Sequence, residues 1–225
     1  MSIEACKKAA AEKAASFIQD GMVVGIGTGS TTFYFIQKLI ERCKSGLKIR
    51  AIASSERSRN QALEGKIPII DINSLKSLDI YIDGADEIDP QKRMIKGGGG
   101  ALVREKIAAS MSGEMIVIVD ESKLVQKLGH RPLPVEIIPF GSTATIHKLQ
   151  LLGFKGTLRC NPNNSPYITD NHNFIYDVQL NLDKTDPEMD HEQITSVPGV
   201  VDTGFFFNLA GRVVIGFQDG SVFVQ

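Results

Sequence analysis

Three segments of the 225-residue chain carry groups suited to a phosphorylated ligand and its protons. The first, Gly25-Ile26-Gly27-Thr28-Gly29-Ser30-Thr31-Thr32, lies between an apolar run and a stretch of helical period. Bare backbone there lets a ligand approach, and free N–H groups at a helix start favour an anion. Phosphate is the natural ligand; the bland alternative is a tight turn with an ordinary Ser or Thr cap. The loop is not of the Walker type, since it has no G-K-[ST], and it lacks the glycine that would complete G-x-G-x-x-G from Gly27.

The second segment, Asp83-Gly84-Ala85-Asp86-Glu87-Ile88-Asp89-Pro90, follows an apolar strand and puts four carboxylates at its C-terminal edge, where open α/β sheets hold ligands. Neither the EF-hand spacing nor a nearby histidine supports a metal. Proton handling is the other use, because crowded carboxylates hold protons more readily. A solvated acidic turn is the structural alternative.

The third segment is Lys96-Gly97-Gly98-Gly99-Gly100. Four glycines in a row cost chain entropy on folding, and what they offer is bare amides beside one ammonium, suited to a developing oxyanion. Glu105 follows about one turn into the next helix, so its carboxylate is expected to face the same cleft. Its local sequence alone favours a solvated helix acid. Lys123, in DESKLV, falls after another apolar strand and is either a second phosphate anchor or a surface lysine. Lys7 is a weaker candidate of the same kind. His130, His147, His172 and His191 share no metal-ligand spacing, and Cys43 has no base near it in sequence. Phe205-Phe206-Phe207 reads as strand core and interface before it reads as a cofactor platform.

The elements that must position these groups follow from hydrophobic period. Residues 3–19 space Ala10, Ala14, Phe17 and Ile18 as a helix, with Ser2 as N-cap and Asp20-Gly21 as its stop. MVVGIG (22–27), LKIRAIA (47–53), IPII (67–70), LDIYID (78–83) and EMIVIVD (114–120) read as strands. TTFYFIQKLIERC (31–43), SERSRNQALEG (55–65) and ALVREKIAASM (101–111) read as helices. Such alternation implies a doubly covered parallel sheet, hence an α/β, Rossmann-like domain. Pro132, Pro134 and Pro139 mark a change, and residues 131–202 read as a smaller α+β lid domain. Its parts are a helix over 143–153, a turn-rich loop at 161–167, a strand at 174–182 and a helix opened by Asp186-Pro187. Residues 204–225 are β-rich, with turns expected at Ala210-Gly211 and Asp219-Gly220, and can return to the first sheet. The catalytic domain is therefore expected to be 1–130 plus 203–225.

Lys plus Arg is 25 against 26 for Asp plus Glu, so the broad positive field that rewards nucleic acid or anionic membranes is lacking. Neither partner is expected. No apolar run reaches the roughly 18 residues of a membrane span, and the alanine-rich start is interrupted by Glu12 and Lys13, as in a mature helix and not a targeting signal. Cys6, Cys43 and Cys160 form neither a disulfide framework nor a zinc ribbon, which implies a reducing, cytoplasmic setting.

GIGTGSTT, DGADEID, KGGGGALVREKI and DESKLV, in this order, resemble the A-type ribose-5-phosphate isomerases, and the likeness extends through PLPVEIIPF and VPGVVDTG. The resemblance implies a Rossmann-like domain with a smaller α+β lid, a homodimer or homotetramer, a sugar phosphate substrate, and no metal or organic cofactor. It implies substrate contact by Thr28, Gly29, Ser30, Thr31, Asp83, Gly84, Ala85, Asp86, Lys96, Gly97, Gly98, Gly99 and Lys123. It makes Glu105 the proton acceptor, against the local reading, with Asp83, Asp86 and Lys96 as further catalytic groups. Gly100 stands where many relatives have Ala, and the 161–167 loop matches no family motif. Two rivals are a sugar-phosphate sensor, which would need a DNA-binding segment for which the first 20 residues are too short as a helix-turn-helix, and an acyl-CoA transferase using Glu105 as nucleophile.

Overall fold

The computed structural model describes residues 2–225. The chain begins α1 (Ile3–Ala15), β1 (Val23–Ile26), α2 (Ser30–Lys44), β2 (Arg50–Ala53), α3 (Glu56–Glu64) and β3 (Ile80–Asp83). It continues β4 (Glu87–Ile88), β5 (Met94–Ile95), α4 (Leu102–Ser110), β6 (Met115–Asp120), β7 (Leu133–Ile137), α5 (Ser142–Leu151), β8 (Gly156–Leu158) and β9 (Phe174–Val178). Last come α6 (Pro187–Thr195), β10 (Val200–Thr203), β11 (Phe205–Phe206), β12 (Ala210–Gly216) and β13 (Val222–Val224). Two compact units share these elements. One is the chain up to Ala85 with Arg104–Leu124 and Asn208–Gln225; the other is Asp86–Val103 with Val125–Phe207.

The first unit has the α/β, Rossmann-like build expected from the alternation. Its six strands run β13-β12-β6-β3-β1-β2, parallel throughout except for β13 at the edge. Every residue of β1, β3 and β6 is buried, which is why these strands read as continuous apolar runs and not as alternating ones. α1 packs on α2, β6 and β12 through fully buried Ala10, Ala11, Ala14 and Ala15, small side chains that let a helix lie close. Ser2 caps it, accepting the Ala5 N–H at 3.3 Å. Phe35, Ile36 and Leu39 of α2 join the same core, each fully buried side chain contributing about 1.5–3 kcal/mol.

Two local expectations are corrected in this unit. Ala210-Gly211 is no turn: it opens β12, which pairs in parallel with β6 and shifts register between Ala210 and Arg212. IPII forms no strand, only an isolated bridge from Ile69 to Ala51, since Pro68 brings no N–H to a ladder. The Asp219-Gly220 turn is present, between β12 and β13.

The second unit holds an antiparallel sheet, β10-β7-β9-β8, and a small sheet, β11-β5-β4. Leu133, Val135 and Ile137 of β7 pack with Leu149 of α5, Tyr176 and Val178 of β9, and Ile194 of α6. The proline-rich stretch that excludes helix is thus a strand. α6 starts where Asp186-Pro187 places it, the Asp186 carboxylate accepting the Met189 N–H at 3.1 Å.

Candidate active site

In the first unit β1 lies between β2 and β3, so successive crossovers leave it on opposite sides. Such a switch point is where open α/β sheets bind ligands, beyond the C-terminal strand ends. The Thr28–Thr31 loop follows β1 there, and Asp83-Gly84 follows β3. Asp83 joins them. Fully buried, its Oδ1 accepts N–H bonds from Thr28 at 2.9 Å and Gly84 at 2.7 Å, while Oδ2 accepts the Tyr81 hydroxyl at 2.6 Å. Burial first, then the Asp83 and Glu105 charges, push the Tyr81 hydroxyl well above its ordinary value of 10.0. The hydroxyl is the donor to Asp83.

The α2 N-terminus starts at Gly29, with φ 120°, and no side chain caps it. The ordinary Ser or Thr cap is thereby excluded, and the first turn carries no acidic residue. Lys7 reaches across from α1, donating to Ser30 Oγ at 3.0 Å. An uncapped helix start beside an ammonium is ready for an anion. Ser30 is exposed, whereas Thr31 is buried. Thr28 Oγ1 lies 3.0 Å from Ser54 Oγ. Glu105 stands in the first turn of α4 and is only 2% exposed, so the solvated helix acid of the local reading is wrong. Lys123 ends a single 3₁₀ turn after β6 and is half-buried.

In the second unit the Asp86 Oδ2 accepts the Gly98 N–H at 2.7 Å. Lys96 is buried, its Nζ 5.4 Å from the centre of the Phe206 ring, a cation–π contact. The other two carboxylates of DGADEID are structural. Glu87 accepts the N–H groups of Gly129 and Arg131, and Asp89 pairs with Arg93 at 2.6 Å. Ala85 ends the first segment of the first unit and carries no polar side chain. Gly97 and Gly100 take positive φ, 101° and 80°. A Cβ on Gly100 would lie 2.3 Å from the Tyr167 hydroxyl, so the two departures from the family pattern, Gly100 and the 161–167 loop, are one packing feature.

Sequence reasoning left out Tyr81 and Ser54, read Phe206 as strand core and interface, placed Tyr167 only in a turn-rich loop, and gave Lys7 little weight. Tyr81 carried a usable signal: two residues before Asp83 on a strand, it faces the same side. Among the described residues no group of three or more His, Cys, Asp or Glu could hold a metal ion, and no helix is long and apolar enough to cross a membrane.

A mainly parallel sheet with an uncapped helix start and a clamped carboxylate at its switch point defines an α/β protein of Rossmann-like build. The ribose 5-phosphate isomerase A (phosphoriboisomerase A) family model matches residues 50–220. A ribose-5-phosphate isomerase A of Protochlamydia amoebophila is 55% identical over 95% of this chain and 92% of its own. One from Bacillus mycoides is 45% identical over 95% and 96%. A D-ribose-5-phosphate isomerase structure in complex with phospho-erythronic acid superposes with a TM-score of 0.94 at 41% identity, covering 100% of this chain and 99% of that one. The ribose 5-phosphate isomerase of Plasmodium falciparum gives 0.94 at 38%, covering 99% and 98%. The chain belongs to the ribose 5-phosphate isomerase A family.

Proposed function

We propose that this chain interconverts D-ribose 5-phosphate and D-ribulose 5-phosphate through an enediolate, with Glu105 as the base. The observation that carries the reading is the burial of Glu105, 2% exposed in the first turn of the helix that follows the four-glycine run. A carboxylate kept from water yet within electrostatic reach of Tyr81 suits a proton carrier better than a helix-surface acid.

The reaction moves a proton from C2 to C1 and one between the two oxygens. Glu105 takes the C2 proton of the open-chain aldehyde, the electron pair moves onto O1, and the planar enediolate forms. Lys96 and the Gly97–Gly99 backbone stabilise the negative oxygen. Glu105 then returns the proton to C1, while Asp83 and Asp86 manage the oxygen protons and assist ring opening. Thr28, Gly29, Ser30 and Thr31 with Lys123 and Lys7 hold the phosphate and sugar oxygens, and Gly84 and Ala85 line the sugar. No step needs a metal or organic cofactor. Residues 1–130 with 203–225 serve as the catalytic domain and 131–202 as the lid and oligomerisation domain of a cytoplasmic homodimer or homotetramer.

The test is direct. Purified chain incubated with ribose 5-phosphate in excess chelator should form ribulose 5-phosphate. Absence of product overturns the reading, and activity that returns only with a divalent ion overturns its metal-free part.

A further inference from the structure

Within the second unit, the glycine run is gripped from behind by a side chain that the reaction as proposed does not use. Arg159, just beyond β8, donates from Nη1 to the Gly97 carbonyl at 3.0 Å and the Gly98 carbonyl at 3.2 Å. Its Nε and Nη2 meet both oxygens of Asp177 on β9, at 2.9 and 2.6 Å. The fork fixes the guanidinium plane, leaving Nη1 aimed at the loop. The Tyr167 ring lies 5.8 Å from the guanidinium carbon, and the Tyr167 hydroxyl donates to the Gly99 carbonyl at 3.3 Å.

Three successive carbonyls therefore each accept from a fixed side chain, Arg159 or Tyr167. In a trans peptide the C=O of one residue and the N–H of the next point in opposite directions, so the same grip sets the amides of Gly98, Gly99 and Gly100. The Gly98 N–H is spent on Asp86, and that of Gly100 on the Gly97 carbonyl at 2.9 Å. The Gly99 N–H has no acceptor among the described residues, and Gly99 is exposed. Glycines left to themselves would sample many such arrangements.

We propose that Arg159 is a positioning residue for the isomerisation: by holding the Gly97 and Gly98 carbonyls it aims the Gly98 N–H at Asp86 and the Gly99 N–H at the sugar oxygen that becomes negative. This rests on the isomerase reading above. Asp177 acts through Arg159 by locking its plane. Lysine cannot replace Arg159, because one ammonium on a flexible stem cannot meet the carboxylate fork and two carbonyls in fixed directions.

The experiment compares wild type, Arg159→Lys, Arg159→Ala and Asp177→Asn for kcat, KM, thermal midpoint and affinity for phospho-erythronic acid, whose planar, negatively charged carboxylate stands in for the planar, negatively charged enediolate. Misdirected amides should lower kcat on the order of 10- to 100-fold in Arg159→Lys, with KM changing less than about 3-fold, as expected for an interaction made mainly in the transition state. Affinity for phospho-erythronic acid should fall together with kcat, and added guanidinium should restore part of the kcat of Arg159→Ala. If Arg159→Ala does not fold, Asp177→Asn decides by the same split, with a smaller loss. A folded Arg159→Lys with wild-type kcat overturns the assignment, as does a loss that merely follows the thermal midpoint. An inactive wild-type chain overturns the isomerase reading and this one with it, whereas an active wild type with unaffected variants overturns this one alone.

Discussion

Asp83 accepts the backbone N–H of Thr28 at 2.9 Å, so a carboxylate at the end of β3 holds the loop that follows β1. The bond runs across 55 positions of sequence. Thr32 adds its hydroxyl to the same oxygen at 3.4 Å. Asp83 is thus a clamp on the Thr28–Thr31 loop as well as a proposed proton carrier, and Gly27 makes the approach possible: a Cβ there would lie 2.0 Å from the Asp83 carboxyl carbon. The glycine is required by a side chain of the protein itself.

Gly27→Ala should accordingly push the Asp83 carboxylate off the Thr28 amide. Overpacking of this kind costs about 1–3 kcal/mol, measurable as a lower urea midpoint, and the loosened loop should raise KM for ribose 5-phosphate. An unchanged midpoint would mean that strand and carboxylate shift without strain.

Glu105→Gln keeps the shape of a buried side chain and removes its basicity. Turnover should fall on the order of 100- to 10,000-fold, the usual worth of a positioned general base, with affinity changing much less. Exchange of the substrate C2 proton with deuterated water should fall in step. Near-normal exchange in the folded variant would pass the role to Asp83 or Asp86.

Lys7 and Ser30 form one contact at an uncapped helix start. Lys7→Met and Ser30→Ala should each weaken binding of ribose 5-phosphate on the order of 10-fold, the scale of a charge-assisted hydrogen bond, and leave kcat at saturation nearly intact. Equal KM values in variant and wild type would return this helix start to a purely structural role.

Glu114 and Arg212 form a fork of two 2.6 Å bonds within the first unit. Arg212 holds the Glu114 carboxyl below its ordinary value of 4.5, chiefly through the hydrogen bond. A carboxyl whose value is lower folded than unfolded adds stability that is complete above the unfolded value and is lost as pH falls through the folded one. Both side chains are about one-third exposed, so solvent screens the pair to about 0.5–1 kcal/mol. Glu114→Gln should be less stable than wild type by that amount at pH 7 in urea unfolding, and the gap should close as pH falls from above 4.5 through the lowered value of the folded carboxyl. A gap independent of pH would assign the loss to packing.

What the amino-acid sequence determined by itself was whatever depends on near neighbours. The buried runs of β1, β3 and β6, the Ser2 and Asp186 caps and the glycine loop after β1 follow from period and from single polar atoms reaching three residues along the chain. The motifs also marked Asp83, Asp86, Lys96 and Glu105 as residues able to do chemistry.

Only the tertiary structure decided what those residues touch. Glu105 looks like a solvated acid from its own helix, and the fold buries it. Four crowded carboxylates look alike in DGADEID; partners more than 40 positions away make Glu87 structural. Ala210-Gly211 reads as a turn until β6 offers it a parallel partner. Gly100 and Tyr167, separate oddities along the chain, fit into one another. The physical reason is common to all four: burial, long-range pairing and the free volume beside a glycine belong to the folded neighbourhood, and no window of sequence contains the atoms that create them.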